Sequence, residues 1–380
     1  MSARLLVSCG EPSGDVYAGA LVRELQRIDP GISVSGLGGP RFAAAGGRLL
    51  EDYRGLSVTG LTEVVRKLPR AFATLWRLVR AARRERPDAL VVIDFPDFNF
   101  VLARRLHALG IPVVYYISPQ IWAWRPTRLH TIRAFADLVL VIFPFEAEIY
   151  RAGGVPVEFV GHPLLDLLPA VPSRAAFLGG LGFSTSAPTI ALLPGSRPNE
   201  VAHILPDLVA AARHIAAVLP TAQFIVARAP NLDDRHFAAL SAGAPTPRMA
   251  VVVGQTDAVL ASSDVVLTAS GTATVQTALW GTPMVVVYRV SPVTYRLVRR
   301  RVTVSMVAMV NLIAGRVVVP ELIQDAFTPE AVAREALDIL TNTDRAAVMR
   351  ADLAEVRTKL GGPGASRRAA EAILRVVERR

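Results

Sequence analysis

The chain has 380 residues, the length of two to three average domains. Its 52% hydrophobic and 19% charged residues exclude a disordered chain and leave enough apolar surface for two buried cores. Lysine and arginine number 42 against 32 aspartates and glutamates, and the net charge of +10 fits an anionic partner: nucleic acid, phosphate esters or an acidic membrane surface.

The first expected element is a strand over Arg4–Ser8. Glu11 and Asp15 follow it closely, so the opening residues do not read as a secretory signal. The loop Gly10-Glu11-Pro12-Ser13-Gly14-Asp15 lies between that strand and a helix expected over Asp15–Ile28. Its glycines permit close backbone approach, and Ser13 or Asp15 can cap the helix. A second strand, Ser33–Leu37, follows. Segment 63–86 holds eight basic residues against Glu63 and Glu85, which accounts for six of the chain's ten net charges. Pro69 suits the first turn of a helix there. Phe72, Leu75, Trp76 and Val79 form one apolar stripe flanked by Arg70, Arg77, Arg80 and Arg84. The pattern fits an interfacial basic helix that docks on an anionic membrane, or a sheet-covering helix with its stripe in the core.

A strand over Ala89–Asp94 leads into Asp94-Phe95-Pro96-Asp97-Phe98-Asn99 and a helix over Phe98–Leu109. Two carboxylates at a strand end can supply a general base or simply cap the helix. Strands Val113–Ile117, Leu138–Phe143 and Val157–Val160 complete the first half. Gly161-His162-Pro163 then marks a hinge.

Strands restart at Thr189–Leu193, Gln223–Ala227, Ala250–Val253, Val265–Thr268 and Met284–Tyr288, with helices between them. In the loop Leu193-Pro194-Gly195-Ser196-Arg197, backbone N–H groups and a guanidinium suit a diphosphate. The turn Ser270-Gly271-Thr272 opens a helix carrying Gln276 and is a natural anion site. The uncharged stretch 265–288 reads as strand, helix and strand, because Gly271, Gly281 and Pro283 interrupt it. Gly361-Gly362-Pro363-Gly364 breaks a helical tail before a last helix.

Near-continuous Val/Ile/Leu strands joined by helices imply parallel sheets covered on both faces. The expected fold is α/β, with two doubly wound Rossmann-like domains at 1–165 and 180–345. Helices at 346–380 pack back on the first domain or on a partner subunit. Lys67 and Lys359 are the two lysines and neither follows glycine, which removes a Walker A loop. No GxGxxG follows a strand, so a dinucleotide dehydrogenase does not fit. The basic residues concentrate at 63–86 and 296–301 instead of lining a groove with stacking aromatics, which argues against a nucleic-acid binder. Cys9 is the single cysteine and six histidines are scattered, so neither disulfides nor a metal site are expected.

Nine segments, in order, resemble the lipid-A-disaccharide synthase family, inverting glycosyltransferases of the GT-B fold. They are GEPSGD (10–15), GLGGPRFAAAGG (36–47), DFPDFN (94–99), YYISPQIWAWRPTR (115–128), FPFE (143–146), VGHPLLD (160–166), LLPGSR (192–197), ASGTAT (269–274) and VNLIAGR (310–316). The resemblance implies two domains whose parallel sheets face a central cleft, with the acceptor and lipid on the first domain and UDP-sugar on the second. It implies transfer from UDP-2,3-diacylglucosamine to 2,3-diacylglucosamine 1-phosphate, giving the β-1,6-linked disaccharide phosphate and UDP. It places the enzyme on the cytoplasmic side of an inner membrane, peripherally bound, with a second copy of itself as a candidate partner, and without metal or cofactor. Asp97 becomes the first candidate for the base and Asp94 the second. Gly195, Ser196, Arg197, Ser270, Gly271 and Thr272 would hold the donor, with Asn311 and Arg316 orienting the acceptor phosphate or the nucleotide. Glu11, Ser13, Gly14, Asp15 and Arg316 fall on the acceptor side. Related GT-B enzymes often carry glutamate where Gln276 stands, to accept both ribose hydroxyls, and Gln276→Glu is therefore expected to be tolerated. The alternative is another UDP-sugar transferase of this fold with a different lipid acceptor.

Overall fold

A computed structural model describes residues 2–56, 61–119, 128–240, 247–289 and 306–379, with the backbone alone at 55, 61–67 and 238–239. The chain divides into two compact units, Met1–Leu167 with Leu360–Arg380, and Leu168–Lys359.

The first unit is a seven-stranded parallel sheet. Its strands are β1 (Arg4–Cys9), β2 (Ser33–Gly38), β3 (Arg48–Asp52), β4 (Ala89–Ile93), β5 (Val113–Tyr116), β6 (Leu138–Val141) and β7 (Val157–Phe159), in the order β3-β2-β1-β4-β5-β6-β7. The second unit is a six-stranded parallel sheet in the order β10-β9-β8-β11-β12-β13. It comprises β8 (Thr189–Leu193), β9 (Gln223–Arg228), β10 (Met249–Val253), β11 (Val265–Ala269), β12 (Met284–Tyr288) and β13 (Glu321–Ile323). Every residue of β4, β8 and β11 is buried, as strands covered on both faces require. Residues 265–288 are strand, helix and strand, as the glycines and Pro283 dictate. In each sheet the strand order reverses beside the unit's first strand: β1 lies between β2 and β4, and β8 between β9 and β11. Ligands of doubly wound sheets bind at the carboxyl ends of strands around such a reversal.

Four expectations change, the last of them in the tail. Strands β3 and β13 were not expected; both are edges with no fully buried residue, and β13 is three residues long. Pro69 does not open a helix but lies inside Leu61–Glu85, which starts two turns earlier. The apolar stripe of that helix is divided. Leu75, Leu78, Val79 and Ala82 are core residues, whereas Leu68, Phe72 and Trp76 remain 43%, 54% and 55% exposed. Residues 296–301 and 120–127, which hold the second basic cluster and most of the SPQIWAWR segment, lie outside the described residues.

The tail divides at Leu360, not at 346. Helix Thr343–Lys359 buries Ala346, Met349, Leu353 and Val356 in the second unit. Gly361 and Gly364 then take left-handed φ values of 87° and 93°, which breaks the helix. Helix Ala365–Glu378 returns to the first unit. There Arg368 Nε donates to the Val160 carbonyl (2.8 Å), and the Asp166 carboxylate accepts from Ser366 N (2.9 Å). His162, at the expected hinge, is 1% exposed between Tyr17 and Phe143, with ring centres at 6.2 and 5.4 Å. Its Nδ1 accepts from Leu164 N, and burial pushes the imidazole down from 6.5 to about 3.

Candidate active site

The first unit's reversal carries the loops after β1 and β4, which interlock. A Cβ on Gly10 would meet the Phe95 ring at 2.1 Å, so glycine is required for the two loops to close. Asp94 and Phe95 both adopt left-handed backbone, φ 46° and 51°, and Ile117, past the end of neighbouring β5, has φ 56°. Such conformations cost about 1–3 kcal/mol each in non-glycine residues and persist where the surroundings enforce them. Asn99 does so here. Its buried amide accepts from Ser8 Oγ (2.6 Å) and donates to the carbonyls of Ser8 (3.2 Å), Ile93 (3.3 Å) and Asp94 (2.7 Å). Tyr115 Oη and Ile117 fasten the same turn, donating to Asp94 O (3.2 Å) and accepting from Asp94 N (3.2 Å).

This scaffold places Asp97 in the first turn of helix Pro96–His107, its side chain 86% exposed, where it pairs with Arg128. Asp94 is half-buried at the strand end. Glu11 and Ser13 are half-buried in the loop after β1, and a Cβ on Gly14 would lie 3.2 Å from the Cys9 Cβ. Asp15 does not face the crevice. It is 2% exposed, and its carboxylate accepts from the backbone N–H groups of Gly39 (2.7 Å), Arg41 (3.0 Å) and Phe42 (3.0 Å), which caps helix Pro40–Ala44. Helix Pro12–Ile28, which Ser13 or Asp15 was expected to cap, starts from Glu11 with no side-chain cap bond.

In the second unit, the loop after β8 already cradles an anion. Ser196 N and Arg197 N donate to Glu200 Oε2 (3.1 and 3.3 Å), and Arg197 Nη1 donates to Oε1 (3.2 Å). Gly195, φ 120°, has no room for a side chain, since a Cβ would lie 2.5 Å from that carboxylate. After neighbouring β11, Gly271 has φ 152° and open space where a Cβ would stand, at the N-terminus of helix Thr272–Trp280. Ser270 is half-buried and Thr272 exposed.

Gln276, four residues into that helix, donates Nε2 to Asp257 Oδ1 at 2.8 Å, and Trp280 Nε1 donates to the same oxygen at 2.8 Å. A carboxylate accepts only, so this bond fixes the amide's orientation and leaves its carbonyl as the group Gln276 can offer. Sequence reasoning missed Asp257, which lies 19 residues away on another helix.

Asn311 and Arg316 do not occupy the site as expected. Asn311 is fully buried and satisfied: Oδ1 accepts from Val318 N and Val319 N (2.8 and 3.0 Å), and Nδ2 donates to Val319 O and Glu321 Oε1 (3.0 and 2.6 Å). Glu321 in turn accepts from Val307 N (2.8 Å), and Val307 O accepts from Ser270 Oγ (3.3 Å). Asn311 therefore supports the Ser270 turn from behind. Arg316 is ion-paired with Asp352 (2.8 Å) and Glu355 (2.9 Å), both on helix Thr343–Lys359, which ties it to that helix. Among the described residues no cluster of three or more His, Cys, Asp or Glu has a metal-binding arrangement.

The fold is shared with solved structures of distant sequence. The chain is similar to a UDP-GlcNAc 2-epimerase from Neisseria meningitidis bound to UDP-GlcNAc, with TM-score 0.68 and 12% identity over 99% of this chain and 100% of that one. It is also similar to CalG4, the calicheamicin glycosyltransferase, with TM-score 0.60 and 18% identity over 100% and 99%. At these identities the likeness is one of fold, and the fold is GT-B. Sequence relationships are much nearer. Lipid-A-disaccharide synthase of Myxococcus xanthus is 43% identical over 98% of this chain and 97% of its own length. That of Syntrophus aciditrophicus is 42% identical over 100% and 99%. Residues 5–376 match the family described as Lipid-A-disaccharide synthetase, and the chain belongs to that family.

Proposed function

We propose that the chain performs its family's reaction: transfer of 2,3-diacylglucosamine from UDP-2,3-diacylglucosamine to 2,3-diacylglucosamine 1-phosphate, with inversion. The observation that carries this reading is identity of 43% along the full length of a curated lipid-A-disaccharide synthase. A different lipid acceptor has no such support.

In this reading Asp97 takes the proton of the acceptor's C6 hydroxyl as that oxygen attacks the donor's anomeric carbon. The bond from that carbon to the β-phosphate oxygen breaks, and its electron pair leaves with UDP. Exposure in the first turn of helix Pro96–His107 favours Asp97 over Asp94, which is half-buried at the end of β4. Arg197 and the N-terminus of helix Thr272–Trp280 at Gly271 stabilise the departing diphosphate, while Glu200 holds the Ser196 N–H and orders the loop. The Gln276 carbonyl accepts from the ribose.

Acyl chains resist leaving a bilayer, and helix Leu61–Glu85 supplies a surface for meeting one. Leu68, Phe72 and Trp76 recur every fourth residue and stay exposed, with Arg80 and Arg83 beside them. Each such arginine adds about 1 kcal/mol of attraction to anionic lipid. Two experiments test the reading. Purified protein given both substrates should form the disaccharide and UDP, and absence of product would refute it. Protein with Arg77, Arg80, Arg83 and Arg84 changed to Gln should co-sediment much less with anionic liposomes at low salt than wild type, and equal binding would remove this helix from the membrane surface.

A further inference from the structure

The base does not stand alone. Arg128 opens helix Arg128–Arg133 and places Nη2 2.5 Å from Asp97 Oδ1. Its Cζ lies 5.2 Å from the centre of the Phe100 ring, which packs in turn against Tyr115 and Phe135. The Arg128 side chain is 18% exposed, against 86% for Asp97. The guanidinium is thus held against an aromatic face and tied to the base, and part of its surface still meets solvent. A guanidinium carries five N–H donors in a rigid planar fork that matches phosphate oxygens two at a time, and the bond to Asp97 uses one donor.

The acceptor is an anion whose charge sits close to its reacting group. Its phosphate is on C1 and its nucleophilic hydroxyl on C6, the carbon attached to C5, and C1 and C5 flank the ring oxygen at one end of the sugar. A carboxylate that receives the C6 proton therefore has the phosphate as a near neighbour. Arg316, the cation that sequence resemblance offered for this phosphate, is committed to Asp352 and Glu355 in the other unit.

We propose that Arg128 is the binding site for the acceptor's anomeric phosphate. One edge of the guanidinium keeps the Asp97 carboxylate oriented, and the other takes two phosphate oxygens. The phosphate then becomes a selection element, since a diacylglucosamine with a free anomeric hydroxyl cannot make the charge-assisted bidentate contact. The proposal rests on Asp97 acting as base in the reaction above.

The test compares two acceptors, 2,3-diacylglucosamine 1-phosphate and unphosphorylated 2,3-diacylglucosamine, with wild type, Arg128→Gln and Arg128→Lys. UDP titration of each full-length protein checks that the variants are folded. Wild type should prefer the phosphorylated acceptor in kcat/KM. Arg128→Gln should reduce that preference roughly 10- to 100-fold, mainly through KM for the phosphorylated acceptor. Arg128→Lys, which keeps the charge without the fork, should fall between. Equal losses on both acceptors would overturn the phosphate site and leave Arg128 as a holder of Asp97 alone. A wild type that does not discriminate between the acceptors would also overturn it. Failure of wild type to couple even the phosphorylated acceptor would refute the underlying reaction, a result distinct from both.

Discussion

The two units solve the same topological problem with different chemistry. At the reversal beside β1, the crevice is shaped by side chains. Asn99 braces a left-handed Asp94–Phe95 turn, the Phe95 ring fills the space over Gly10, and Asp97 projects outward against Arg128. At the reversal beside β8, the crevice is made of backbone. Ser196 and Arg197 N–H groups converge on a carboxylate, and Gly271 leaves an open helix N-terminus. A proton acceptor must be a side chain held in one orientation, whereas a diphosphate is well served by N–H groups and a guanidinium. Under the proposed reaction, one supersecondary plan serves chemistry in one copy and anion binding in the other.

Asp97→Asn should break the first site with the largest effect, a fall in turnover of about 10² or more in a two-substrate assay. Near-normal turnover would transfer the base to Asp94. Asn99→Ala should follow. It leaves Ser8 Oγ and three carbonyls without the amide they share, at a cost of about 3 kcal/mol in urea unfolding. An unchanged midpoint would mean that the left-handed turn needs no brace. Arg197→Ala acts on the other unit and should weaken UDP binding by about 2–3 kcal/mol in calorimetry.

The first unit also carries a pH dependence. The unfolded chain protonates His162 near 6.5 and the folded one near 3, so between those values the unfolded state binds more protons and stability falls as pH falls. Its contribution is nil above the unfolded value and reaches a loss of about 2 kcal/mol at pH 5. Urea midpoints at pH 7.5 and 5 should therefore converge in His162→Gln relative to wild type. The smallest effect sharpens the second site. Gln276→Glu sets two carboxylates against each other at Asp257 and should weaken UDP binding about tenfold, with Asp257→Asn restoring it. This reverses the tolerance expected from sequence, which had no means of seeing Asp257.

Strands buried on both faces were legible because their apolar runs are continuous, and the four loops at the reversals were legible because they follow such strands. Strands β3 and β13 were not, since short half-buried edges such as Glu321–Ile323 carry no apolar run. Within the site, spacing located Asp97 and Arg197. It could not separate a carboxylate facing solvent from one spent on backbone N–H groups, and Asp15 is the second kind. Nor could it place Arg128 on Asp97, 31 residues away, or turn Asn311 inward onto Glu321. Those partners meet through the tertiary fold and leave no local pattern.

The division of labour between the units is tested most directly by UDP titration of Asp97→Asn beside Arg197→Ala. Asp97→Asn is expected to bind UDP as wild type does, although it no longer turns over, while Arg197→Ala binds UDP more weakly by about 2–3 kcal/mol. If Asp97→Asn lost UDP affinity as far as Arg197→Ala, the first unit would be part of the nucleotide site and the account would be wrong.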